Sequence, residues 1–251
     1  MTHVSLFSGV GGIDLAAEWA GFETVLQVEI DPYCRRVLEK HWPDVKRIED
    51  IRDVNKNSVN EPVTLVSGGF PCQDISIANQ ISRDGIDGKR SGLWKEMFRV
   101  VCEIQPKYML VENVPALLSR GLNRILGNLA EIGYDAEWDC LSAWQVGAPH
   151  ARQRTFVVAY PASERLETNT IFAGTDLACS YPSHSQWKAV KHDEQRLFDQ
   201  VFGYRLPPYP SDLRMDNGLA PWMDRLRCLG NAVVPAQVLP ILRAIAEIEE
   251  G

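Results

Sequence analysis

The chain has 251 residues, 45% of them hydrophobic and 24% charged, and no apolar run approaches the roughly 20 residues of a membrane-spanning helix, so a soluble globular protein with one sizeable core is expected. A net charge of −7 argues against a uniformly basic, non-specific nucleic-acid binder, though not against a local basic face. The six cysteines (Cys34, Cys72, Cys102, Cys140, Cys179 and Cys228) lack zinc or redox spacing, and MTHVSLFSG carries no basic leader, which favours free thiols in a reducing cytoplasm.

In chain order, HVSLF predicts a strand and GGIDLAAEWAG a turn leading into a helix. ETVLQVEI predicts a second strand, after which Asp31 caps and Pro32 opens a helix over PYCRRVLEKHW. VTLVSGG, KYMLVEN and RTFVVAY predict three further strands, with helical spacing in SGLWKEMFRVVCEI and LNRILGNLAEIG between them. Strands alternating with helices predict an α/β fold, a mostly parallel sheet covered on both faces. From Pro161 to about Pro221 the text turns irregular and rich in Ser, Pro and Tyr, too long for a structureless loop, and reads as an inserted module. The chain then closes with LGNAVVPAQVLPILRAIAEIEE, a Gly-Asn turn and a helix that should return to the main domain. The expected division is 1–160, 161–221 and 222–251.

Four places invite chemistry. Glycines 9, 11 and 12 of LFSGVGGIDL let backbone approach a ligand where strand feeds helix, although tight packing explains such a turn nearly as well. Asp14 stands where a dinucleotide fingerprint needs its third glycine, and Glu29 follows about twenty residues later, suited to ribose hydroxyls. Together they favour a nucleoside without a pyrophosphate, such as S-adenosylmethionine, over NAD. In GGFPCQDIS, Cys72 follows a proline just beyond a strand, a place for exposed chemistry or simply a turn. Glu112 ends an apolar strand, as a buried acid or as a cap, and Arg152 and Arg154 lie two apart, on one face of a strand or merely in solvent.

Taken in order, these pieces resemble the DNA (cytosine-5)-methyltransferases of bacteria and phages. LFSGVGG resembles that family's first cofactor motif and EIDP its second. GGFPCQDIS is similar to its catalytic loop, ENV to its glutamate motif, RQR to its arginine motif and LGNAVVP to its closing motif. The resemblance implies a Rossmann-like methyltransferase fold that binds S-adenosyl-L-methionine and releases S-adenosyl-L-homocysteine. Cys72 would be the nucleophile at C6 of a flipped cytosine, Glu112 would protonate or hydrogen-bond N3, Arg154 would bond O2, and Arg152 would fix the site or a phosphate. An unperturbed thiol pKa near 8.5 leaves only a few per cent thiolate at neutral pH, so local activation is expected. Phe7, Gly9, Gly11, Gly12, Pro71, Leu93, Asn231 and Ala232 would line the cofactor, with Glu29 on the ribose, Ile30 on the adenine face, and Asp50 and Ile51 at its edge. Glu49 replaces the glycine that the family often has in IEDI.

The same resemblance makes double-stranded DNA the partner of what is expected to be a cytoplasmic, membrane-free monomer, with a cognate restriction endonuclease acting separately. Ser76, Arg83 and Arg90 fall on a lid-like stretch after Cys72, and Lys188, Lys191 and Arg205 on the module that stands where the family reads its target sequence; all six are candidates for DNA contact. Three other readings compete. A tRNA methyltransferase of the same family would carry a Cys-Phe-Thr tripeptide that the insert lacks, and a silent DNA-binding relative would have lost the cysteine, glutamate or glycines that this chain keeps. An NAD-dependent oxidoreductase is disfavoured by Asp14.

Overall fold

The computed structural model describes residues 1–71, 92–148, 152–164, 171–174 and 232–250. Seven strands pair into one sheet: β1 (Thr2–Leu6), β2 (Glu23–Val28), β3 (Lys46–Ile48), β4 (Leu65–Gly68), β5 (Tyr108–Asn113), β6 (Tyr134–Ser142) and β7 (Gln153–Pro161). Their order is β3-β2-β1-β4-β5-β7-β6. All pairings are parallel except those of β7 with β5 and β6. The expected α/β sheet is therefore present, and its order turns back between β1 and β4, so that β1 and β4 send their chains outward in opposite directions. In open sheets of this kind the crevice beyond the strand ends at such a point receives ligands.

Alternation along the strands divides the core in two. Val4, Leu6, Met109, Val111 and Val157 face one side, where they meet α3 (Leu93–Ile104) and α5 (Leu122–Glu131) through Met97, Val100, Ile125 and Leu129. Leu110, Phe156 and Val158 face the other, against α1 (Gly12–Trp19) and the C-terminal helix α7 (Pro235–Glu250) through Ala16, Ala17, Ile241 and Ile245. Each buried Val, Leu, Ile, Phe or Met side chain among these contributes about 1.5–3 kcal/mol. The remaining helices among the described residues are α2 (Pro32–His41) and the short α4 (Leu117–Arg120) and α6 (Ile171–Gly174). At α2 the expected cap is in place: the Asp31 carboxylate accepts from the amides of Tyr33 (2.8 Å) and Cys34 (3.2 Å), with Pro32 opening the helix.

Two strands were not legible as such. β3 is three residues long at one sheet edge, and β6, YDAEWDCLS, is the opposite edge, where Trp138 and Asp139 are exposed and a clear apolar period is absent. Of the inserted stretch 161–221, only 161–164 and 171–174 lie within the described residues.

The α1 face of β1 is polar at the centre of the fold. The His3 ring bridges Thr24 Oγ1 (2.8 Å) and Ser67 Oγ (2.7 Å), and burial drops its pKa to about 3, so it is a neutral imidazole. Two residues on, Ser5 Oγ donates to Asp14 (2.9 Å), which also accepts from Gln27 Nε2 (2.9 Å). Asp14 is fully buried, and that burial lifts its pKa to about 6 against 3.8 for an exposed carboxyl. With the folded-state pKa raised, ionised Asp14 costs nothing below about pH 4, while stability falls as pH rises to 6 and the full cost stands above it. Asp14→Asn keeps the shape without the charge: its carbonyl oxygen can accept from Gln27 Nε2, and its NH2 can donate to Ser5 Oγ once that hydroxyl turns to accept. The variant should be the more stable protein at pH 7.5, by up to about 3 kcal/mol, and the gap should close near pH 4. Urea melts across that range measure it; a gap independent of pH would show that Asp14 is not the titrating group.

Candidate active site

The turn after β1 is the first wall of the site. Three of its residues have left-handed backbone: Phe7 (φ 54°), Gly9 (φ 57°) and Gly11 (φ 85°). Only glycine adopts this region without strain, so Phe7 marks a conformation that the surrounding fold imposes. Space above Gly9 is open, since a Cβ placed there meets nothing within 4 Å. Gly12 is closed off instead, because a Cβ would stand 2.5 Å from the carbonyl oxygen of Val233. The segment that leads into α7 thus lies directly on the turn, and Ala232 is half-buried beside it.

Glu29, one residue past β2, reaches back into this turn. One carboxylate oxygen accepts from the Gly9 amide and the other from the Asp31 amide, both at 2.7 Å. Burial raises its pKa, and the two amide bonds offset part of the rise. Each oxygen retains a second lone pair for a hydroxyl donor. Next to it, Ile30 is 63% exposed, an apolar surface beside an open glycine turn. Ile51 is buried at the start of a 3-10 turn, Ile51–Asp53, whose carbonyls Arg99 of α3 holds through Ile51 O (2.9 Å) and Val54 O (2.7 Å). Asp50 caps that turn and is gripped by the Arg52 guanidinium, which brings its pKa down to about 2. Glu49, the departure in IEDI, pairs with Arg35 of α2 at 2.7 Å, and Arg35 also donates to the carbonyls of Glu29 and Ile30. The β2–α2 and β3–Ile51 turns are tied together by that pair.

The second wall grows from β4 and β5. Their register sets Gly68 beside Val111, which brings Gly69 beside Glu112. The contact is close: a Cβ on Gly69 would lie 2.6 Å from Glu112 Oε2. Phe70 is buried against Trp94 of α3, with ring centroids 5.7 Å apart, and its carbonyl accepts from Asn113 Nδ2 at 3.3 Å. Gly69 and Phe70 are thereby fixed, and half-buried Pro71 marks the limit of the described chain. Cys72, Ser76, Arg83 and Arg90 lie outside the described residues, as do Asn231, Lys188, Lys191 and Arg205. Leu93, half-buried, starts α3 and packs against the core beneath the sheet face.

Glu112 itself is buried, and Arg154 Nε meets its Oε1 at 2.7 Å. Burial pushes the Glu112 pKa above the ordinary value; Arg154 and Arg152 offset only part of that. Burial and the neighbouring Arg154 pull the Arg152 guanidinium pKa down from its usual height. A buried carboxyl whose proton affinity is raised, with Arg154 of β7 and Arg152 just before that strand acting on it, is a group that can pass a proton to a ring nitrogen and meet developing negative charge.

The structure thus gathers Phe7, Gly9, Gly11, Gly12, Glu29, Ile30 and Ala232 around one turn, and Glu112, Arg152 and Arg154 around the end of β5. Asn113, Phe70, Trp94, Arg35, Arg99 and Gln237 support these groups and escaped the sequence reading. Only Asn113 carried a signal, as a polar residue beside Glu112 at the end of an apolar strand.

Known proteins similar to this chain identify its family. The C-5 cytosine-specific DNA methylase family matches over residues 1–196. The type II methyltransferase M2.BsuMI of Bacillus subtilis is 38% identical over 167 residues, covering 63% of this chain and 42% of that protein. M.AquIA of a Picosynechococcus species is 35% identical over 226 residues, 82% of this chain and 84% of that one. The chain spans about half the length of several of the curated relatives it matches. Entamoeba histolytica methyltransferase EhMeth, 14% identical, superposes with a TM-score of 0.65 over 100% of this chain and 99% of its own, a likeness of fold. With a family match that takes in the glycine turn, the acidic strand end and the arginine pair alike, the chain belongs to the C-5 cytosine-specific DNA methylases.

Proposed function

We propose that this protein transfers a methyl group from S-adenosyl-L-methionine to C5 of a specific cytosine in double-stranded DNA. The observation that carries the reading is the buried Glu112 carboxyl held by Arg154 at the end of β5, one strand away from the loop that leads to Cys72. The residues around the first turn fit the cofactor. Open Gly9 admits a ligand, Glu29 can accept ribose hydroxyls, exposed Ile30 offers an apolar face to adenine, and Asp14 buried beneath the helix start disfavours a pyrophosphate. When bound, S-adenosyl-L-methionine supplies an electrophilic methyl group on a sulfonium.

On this reading the Cys72 thiolate adds to C6 of the flipped base and forms a C–S bond. The C5–C6 π electrons become available at C5 while Glu112 gives its proton to N3, and Arg154 steadies O2. Once C5 has been methylated, its hydrogen leaves as a proton to solvent, the returning electron pair expels the Cys72 thiolate, and N3 hands its proton back to Glu112. Arg152 helps to hold the site or a nearby phosphate. Residues 161–221 would read the target sequence, the 222–251 segment would complete the cofactor pocket, and Asp50 with Ile51 would meet the adenine edge.

Bisulfite sequencing of plasmid DNA from cells expressing the protein, beside cells expressing Cys72→Ala, tests the proposal. Cytosines should resist conversion at one short motif, with the intact protein alone, while purified Cys72→Ala still binds S-adenosylhomocysteine. Full conversion everywhere, from soluble protein that binds the cofactor, would refute DNA as the substrate.

A further inference from the structure

Gln237, in the first turn of α7, is fully buried. Its amide nitrogen lies 2.8 Å from the carbonyl oxygen of Leu141 and 3.0 Å from that of Arg152. Two carbonyls can only accept, so the NH2 end must face them, which settles the orientation of the amide. The two carbonyls sit on neighbouring strand ends, Leu141 in β6 and Arg152 just before β7, where the Ala143 amide also donates to Arg152 O at 2.9 Å. Burying a primary amide is costly unless it is bonded, so the residue is informative about what must be held there.

What it holds is the start of the arginine strand. Arg152 and Arg154 project to the same face, toward Glu112, and their like charges repel at close quarters. The backbone must resist that repulsion for Arg154 to keep its 2.7 Å contact with Glu112. Four residues earlier in the same segment, the Val233 carbonyl lies on Gly12 of the first turn. One short stretch of chain therefore touches the glycine turn at one end and the arginine strand at the other. We infer that Gln237 is a positioning residue, which holds the backbone of Arg152 so that the arginine pair faces Glu112 during attack on the base. The inference rests on the proposed cytosine chemistry.

Gln237→Met matches the length of the side chain and removes its donors. Steady-state kinetics of methyl transfer to DNA should show kcat lowered about tenfold, with the Kd for S-adenosylhomocysteine, measured by calorimetry, within twofold of the parent at a temperature where both are folded. Gln237→Glu gives a second readout. Its ionised carboxylate has no donor for the carbonyls, while the protonated form can supply one, so its kcat relative to the parent should recover as pH is lowered. Gln237→Met should show no such recovery. Parental kcat in the Met variant, or losses in kcat matched by losses in cofactor affinity with no recovery of the Glu variant in acid, would overturn the inference. If the Met variant does not fold, the pH behaviour of the Glu variant decides alone. An unmodified protein that transfers no methyl group to DNA would instead sink the functional reading itself.

Discussion

Glu112→Gln should lower kcat by about 10³-fold and leave the affinity for S-adenosylhomocysteine within twofold. Glutamine has the same shape and can offer a hydrogen bond to N3 of the base, but it has no proton to transfer. The charge created as a thiolate adds at C6 would then rest on N3 and O2, with only the arginine pair to meet it. The turn proposed to hold the cofactor is insulated from this change, since Glu29 draws its hydrogen bonds from Gly9 and Asp31, beyond the ends of β1 and β2. Burial raises the Glu112 pKa, and the proposed acid works protonated, so the parental rate should be present below that raised pKa and fall as pH passes through it. The Gln variant should lack this falling limb. A pH profile of kcat under single-turnover conditions separates the two, and a Gln variant with near-parental kcat would exclude Glu112 as the acid.

The order of elements and the chemical groups were legible because they are local. The Asp31-Pro32 start of α2, the glycine turn and the carboxylate at the end of β5 each declare themselves within a few residues. The edge strands did not, since β3 is too short and β6 too exposed to show a period. Nor did the residues that act across long separations. Gln237 meets Leu141 and Arg152, 96 and 85 positions away, and Trp94 packs on Phe70 from another helix. Glu49 shows the same limit differently. As sequence it was a departure from the family, while in the fold its partner Arg35 makes it a tie between the β2–α2 turn and the turn at Ile51. Local chemistry announces what a site can do, and packing decides which residues hold it still.

Gly69→Ala should cost about 100-fold in kcat and roughly 1–3 kcal/mol of stability, both of which follow from what the new methyl group would strike. Gly69 does not need left-handed backbone, as its absence from the positive-φ residues shows, so alanine brings no backbone strain. Its Cβ would instead stand 2.6 Å from Glu112 Oε2, far inside van der Waals contact. The strand end cannot retreat easily, because Phe70 is pinned in the core by Trp94 and by Asn113. The carboxyl group, at the end of a flexible side chain, is what moves. That shift leaves the core packing in place, but it pulls Glu112 from its 2.7 Å contact with Arg154 and from the place where it would meet the base. The two effects share one target, so they should not add: combined with Glu112→Gln, Gly69→Ala should lower kcat little further. Thermal melts and single-turnover rates of the two single variants and the double variant measure this directly. Full multiplicative losses in the double variant would mean that Gly69 acts on something other than Glu112.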